Sequence, residues 1–167
     1  MIDITVKQIK ERLNYDPNTG ILTWKSVVRY SNRRIGQQAG RVNSLGYRRV
    51  ELLGKTRKAT NLIWYMQTGV YPSEKIIDHK NRIKSDDRWE NLRESTWAQN
   101  QANTGIRSDN TSGYKGIHYC KNINKWRATL QYNKKKVHIG YFDNKKTAAR
   151  HYRKAAIKYY GSYACTE

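Results

Sequence analysis

Asp78 and His79 close the apolar pair Ile76-Ile77, and two amides follow at set intervals. Asn91 stands twelve residues after the imidazole, and Asn100 nine residues further on. A carboxylate is a hard oxygen donor suited to Mg²⁺ or Mn²⁺, and an amide oxygen is another. An imidazole with an ordinary pKa of about 6.5 is mostly neutral at pH 7 and can accept a proton. Together these groups suit proton transfer beside one oxygen-ligated divalent ion. The plainer alternative is a loop histidine capped by Asp78, with both asparagines serving turns. A surface loop alone does not explain an acid and a base placed together at the end of an apolar run.

The elements around these residues read as strand, loop, strand, helix. Ile76-Ile77 enter as a strand, and neighbouring strand residues point to opposite faces unless the strand breaks. The loop KNRIKSDDRWEN is polar, with Ile83 and Trp89 as its expected apolar anchors. Leu92 opens a second short strand. Thr96 is a good helix N-cap, and TWAQNQANTG runs to Gly105 as the stop signal. Residues 1–75 form a leader of short strands and turns. IDITVKQIKERLNY suits a short amphipathic helix, DPNTG a turn and ILTWK a strand. GRVNSLGYRRVELLGK suits a hairpin around NSLG, and Leu62–Met66 a helix closed by Gly69 and stopped by Pro72. The leader is expected to be scaffold that also offers basic side chains to phosphates.

Composition narrows the partner. The 167 residues hold 33 Lys and Arg against 13 Asp and Glu, a formal net charge of +20, and the pI is about 10.1. That excess argues for a polyanion, nucleic acid above all. An anionic membrane surface is the rival, but no long amphipathic basic helix and no lipidation motif is seen. Aromatic residues make up 11% of the chain, with five Trp and thirteen Tyr, too many for a disordered basic tail. Two cysteines, Cys120 and Cys165, give neither a disulfide framework nor a thiolate zinc site. The first twenty residues lack an apolar signal-peptide core, and no segment is long and apolar enough to span a bilayer, so a cytoplasmic protein is expected. Acidic residues thin out past NTGIRSDNTSG. From Thr111 onward only Asp143 and Glu167 are acidic. The linker is placed at 106–113.

The motifs IDH-x-N, SDDR-x-ENLR-x-ST and QNQ-x-N, with their spacing, resemble an HNH nuclease in its His-Asn-Asn form. The blocks YDPNTGILTWK, AGRVNSLGYRRV and GKTRKATNLIWYMQTG resemble the leader of HNH homing endonucleases of the phage type. The resemblance implies an α+β chain with a ββα-metal nuclease core at 76–105. In that reading His79 is the general base, and Asn91 hydrogen-bonds its second nitrogen. Asp78 and Asn100 would hold one Mg²⁺ or Mn²⁺, with no small-molecule cofactor. The implied reaction is hydrolysis of double-stranded DNA to 5′-phosphate and 3′-hydroxyl ends, by a nicking monomer, in a bacterial or phage-infected cell. The chain departs from the family at Thr60, where a His is usual, at Arg82-Ile83, where Gly-Asp is usual, and at Asp87, which replaces an Asn.

Residues 114–164 resemble an AP2-type DNA-binding domain, a three-stranded antiparallel sheet packed on one helix. YKGIHYC, KWRATLQYN and KKVHIGYF read as the strands, and Lys145 to Tyr160 as the helix. Strand alternation turns Trp126, Ala128, Leu130, Val137 and Ile139 inward. It leaves Lys115, His118, Arg127, Thr129, Gln131, Lys134, Lys136 and His138 outward, on the face that lies in the DNA major groove in that family. The lysines would anchor phosphates, with base contacts from Arg127, Gln131 or His138. Two other readings stay open: a non-enzymatic DNA-binding regulator with a degenerate HNH domain, and an RNA-binding protein.

Overall fold

A computed structural model describes residues 3–26 and 32–165. The chain divides into two compact units, Met1–Ser95 and Thr96–Glu167, both mixing helix and antiparallel sheet. This is compatible with the expected α+β class.

The first unit opens on α1 (Val6–Lys10), where Thr5 and Gln8 form a reciprocal capping box. β1 (Leu13–Asp16) and β2 (Ile21–Trp24) make a hairpin in register Leu13↔Trp24. Its turn is DPNTG. The Asp16 carboxylate accepts from Asn18 N and Thr19 Oγ1, which holds its pKa below the usual carboxylate range. Next comes the sheet β3 (Arg41–Val42), β4 (Arg48–Leu52) and β5 (Lys55–Lys58), in that order. β5 was not expected from the charged run KTRK. The Leu53-Gly54 turn, with both φ values positive, folds it back onto β4. α2 (Ala59–Thr68) buries Ala59, Leu62, Ile63 and Met66, one helical face, against this core. Gly69 ends it in the left-handed conformation. β6 (Ile76–His79) and β7 (Leu92–Ser95) then pair antiparallel, with Asp78 opposite Arg93 and His79 opposite Leu92. Ile77 and Leu92 join the core.

The second unit begins with α3 (Trp97–Asn103), capped by a Thr96–Gln99 capping box. α3 packs against elements of this unit, and Cys165 N donates to Ala102 O at 3.2 Å. β8 (Ile117–Cys120), β9 (Lys125–Tyr132) and β10 (Lys135–Phe142) form a sheet with β9 central. A two-residue turn at Asn133-Lys134, both with positive φ, joins β9 to β10. α4 (Lys145–Tyr160) lies on the sheet. It buries Ala148, Tyr152 and Ala156 against Ile117, Ala128 and Leu130. Alanines on that face let helix and sheet approach closely. Gly116 continues this close packing, because a Cβ there would stand 2.3 Å from the Tyr152 ring. No helix among the described residues is long and apolar enough to cross a membrane.

Candidate active site and basic sheet face

In the first unit β6 carries Asp78 and His79 inward at its end, and both side chains are buried. His79 Nε2 stands 2.9 Å from Asp87 Oδ1. A carboxylate can only accept, so Nε2 donates in this contact, and in the neutral ring the lone pair then sits on Nδ1. The expected Asn91–His79 hydrogen bond is therefore corrected: Asp87 takes that place.

Asn91 does a different job. It ends a single 3₁₀ turn (Trp89–Asn91) and folds its amide back into the loop. Its Oδ1 accepts from Asn81 N, while its Nδ2 donates to Asn81 Oδ1 and to Asp86 O. Asn81 Nδ2 donates in turn to Asp86 Oδ2, and Arg88 grips Asp86 with Nε and Nη2, both at 2.8 Å. That guanidinium holds the Asp86 carboxyl well below the usual carboxylate range. The loop is thus a closed polar network. Its apolar anchor is Trp89, packed tilted against Trp64 at a ring separation of 5.1 Å. Ile83, expected as a second anchor, is 56% exposed. The loop is secured by hydrogen bonds there, and the side chain is left over.

Asp78 faces Arg93 across the β6–β7 pair. Arg93 Nε and Nη2 approach Asp78 Oδ2 at 3.0 and 2.9 Å. Sequence reasoning missed Arg93 as a site residue. Its signal was the strand register, which sets the residue two past Asn91 opposite Asp78. Asp87 was noted only as a replaced asparagine. Around His79 the unit is aromatic and basic. The Tyr47 ring centroid lies 6.2 Å from the imidazole, with Lys58 and Lys84 over its face at 5.6 and 5.0 Å.

Residues 57–102 match the family model of the HNH endonuclease. The match covers β6, the loop, β7 and all but the last residue of α3, and it supports a nuclease function. No curated protein and no solved structure matches the chain. Nucleases of this family typically use a divalent metal. Asp78 and an amide oxygen are donors of the right hardness for such an ion, although Asp78 shares its Oδ2 with Arg93. Among the described residues no group of three or more His, Cys, Asp or Glu side chains could hold a metal. Asn100 lies on α3 in the second unit.

In the second unit the register sorts the sheet. His118 pairs with Arg127, and Arg127 with Tyr141. Thr129 pairs with His138, and Gln131 with Lys136. These residues share the side away from α4, with a bulge at Ile139 between two of the rows. His118, Gln131, Lys134, Lys136 and His138 are exposed there. Two assignments differ. Thr129 is buried, 7% exposed, so it cannot offer its hydroxyl to a ligand without a rearrangement. Lys115 turns its ammonium onto the carbonyls of Gln101, Ala102 and Thr104, at 3.2, 2.8 and 2.5 Å. It caps the C-terminal end of α3, whose carbonyls have no helical partner. Arg127 is half-buried, and its Nε has no partner among the described residues. The one acidic residue described from Thr111 onward, Asp143, pairs with Lys125 at 3.4 Å at the sheet's end. A cleft of about 860 Å³ lined by Trp97, Gln101, Ile106, His118, Gln131 and Lys134 adjoins this face.

Proposed function

We propose that the chain is a metal-dependent HNH DNA endonuclease of the homing type, with a basic sheet that grips duplex DNA. The observation that carries this reading is the buried His79, fixed through Nε2 at the end of β6 inside the HNH match. A base held in one tautomer at a strand end is what activation of a water molecule requires. His79 accepts the proton of the attacking water at Nδ1. Asn91 keeps the loop folded, and Tyr47, Lys58 and Lys84 supply a cationic surround for the phosphate. Asp78 and Asn100 are the ligands that the family resemblance implies for one Mg²⁺ or Mn²⁺. When bound, such an ion would neutralise charge on the phosphate and assist the leaving oxygen. The products would be 5′-phosphate and 3′-hydroxyl ends, and a chain with one such centre would nick. Residues 114–164 resemble an AP2-type reader. Lys134 and Lys136 would hold phosphates, with base contacts from Arg127, Gln131 or His138.

One observation favours a second reading. An arginine already balances the Asp78 carboxylate, as a metal-free site would need. The chain would then be a DNA-binding regulator that cuts nothing. Supercoiled plasmid incubated with the protein and Mg²⁺, Mn²⁺ or EDTA separates the two. Open-circular product with either ion and none with EDTA supports the nuclease. Bound but intact plasmid in every condition leaves the regulator.

A further inference from the structure

Asp87 is the least exposed carboxylate facing the site. It is 2% exposed, with Oδ1 on His79 Nε2 at 2.9 Å and Oδ2 buried without a hydrogen-bond partner among the described residues. Burying a carboxylate oxygen unpaired costs stability, and a native structure keeps such a group only for a reason. The surroundings show that its position is built. Tyr15 Oη donates to Asp87 O at 2.8 Å, from β1 of the leader hairpin. Trp89 N donates to Pro17 O at 3.0 Å, from the turn of that same hairpin. Gly20, with φ of 74°, lets the hairpin press against the loop. A Cβ there would meet Arg88 N at 2.4 Å and the Asp87 carbonyl carbon at 2.5 Å. Three contacts from a hairpin far away in sequence thus converge on residues 87–89, and the Asp87 side chain ends on the imidazole.

We propose that Asp87 is the positioning residue of His79. It fixes the Nε2–H tautomer and the ring plane, so that Nδ1 is the proton-accepting atom. The leader hairpin β1–β2 is the brace that holds Asp87 to this task. The proposal rests on the nuclease reading for its kinetic part, and its structural part can be read without any cleavage. Asp87 acts through His79. A carboxylate in this place makes an Asp–His pair comparable in logic to other orienting pairs, where the wrong tautomer costs orders of magnitude in rate.

The test combines a spectrum with a double-mutant cycle. ¹⁵N-detected NMR of the histidine rings should show His79 as the Nε2–H tautomer in the wild-type protein. Asp87→Asn, whose amide oxygen can still accept from Nε2, should keep that tautomer and stay within about tenfold of wild-type cleavage. Asp87→Leu should lose at least about tenfold in kcat with KM unchanged. In a His79→Ala background Asp87→Leu should cost nothing more, because the residue it serves is gone. An Nδ1–H tautomer in the wild type overturns the proposal. So does an equal loss from Asp87→Leu with and without His79, which marks a merely structural role. If Asp87→Leu does not fold, Asp87→Asn decides: full cleavage after loss of the tautomer overturns it. A wild type with the expected tautomer that cuts no DNA with either ion sinks the nuclease reading and the catalytic role of Asp87 together.

Discussion

Asn91 and Arg93 stand two residues apart and serve different ends. The Asn91 side chain makes three hydrogen bonds inside the loop and none to His79. Asn91→Ala leaves Asp86 O and the Asn81 groups unsatisfied, at a cost of about 1–3 kcal/mol. Urea denaturation should therefore show a lower midpoint, with any fall in cleavage tracking the loss of fold. Arg93→Ala removes the guanidinium from a buried carboxylate. Breaking such a pair costs about 3–5 kcal/mol, so this variant should be the less stable of the two by the same measurement. Stability higher than wild type would mean that Asp78 is relieved, not abandoned, by the change. Both roles were hidden in the sequence for one reason. Spacing shows that a residue belongs to a motif, but a hydrogen bond depends on which way the loop turns. Asn91, twelve residues past the histidine, fits the family pattern whether its amide faces the imidazole or the loop. Asp87 looked like a loss of an asparagine, and only the fold shows it reaching Nε2.

At the scale of elements, turns and helices were legible because their signals are local. DPNTG, Gly69, Thr96 with Gln99, and Gly161 each act within one turn of chain, and each ends or starts an element where expected. β5 was not legible. Its residues are Lys, Thr, Arg and Lys, and a strand of that composition is held by partners elsewhere, as when Arg57 pairs with Asp3 at 2.7 Å. Strand alternation sorts the residues of the C-terminal sheet by side, but side and exposure are different quantities. Thr129 is on that side and still buried, since the central strand is covered by its neighbours. Gly20→Ala tests the brace between hairpin and loop. Its positive φ and the close backbone approach should cost about 1–3 kcal/mol, read as a lower thermal midpoint. Gly36→Ala, also at positive φ but with open space around it, should cost less. Equal losses would mean that backbone strain alone, and not the Asp87–Arg88 approach, is what Gly20 relieves. In the second unit Tyr152, on α4, is buried against the sheet, and its pKa is pushed up to about 12 by that burial. A phenol with a raised folded pKa holds its proton more tightly when folded. Its contribution is complete below about pH 10 and is lost as pH rises toward the folded value. Stability of the wild type should thus fall between these limits, and Tyr152→Phe should flatten the fall.

For the whole molecule, charge sets the behaviour on DNA. A net charge of +20 gives affinity that drops steeply with salt, since each phosphate contact releases counterions with a log–log slope of roughly 0.9. Lys136→Ala should weaken binding to all duplexes about equally and reduce that slope by about one unit. Arg127→Ala should cost roughly 1–3 kcal/mol on a preferred site alone, as a base contact does. Binding titrations on several duplexes across a salt series read both effects. Lys115→Ala should leave the slope unchanged, because its ammonium is engaged at the end of α3. A Lys115 variant that lowers the slope as much as Lys136→Ala would return that lysine to the proposed DNA-binding face. The measurement that tests the central claim most directly pairs cleavage with affinity in one variant. His79→Ala should lower the rate of plasmid nicking by at least about 10²-fold, the usual worth of a positioned base. Its dissociation constant for the same DNA should stay within about twofold. Cleavage at the wild-type rate by the folded His79→Ala protein, with Mg²⁺ or Mn²⁺ present, would contradict the account.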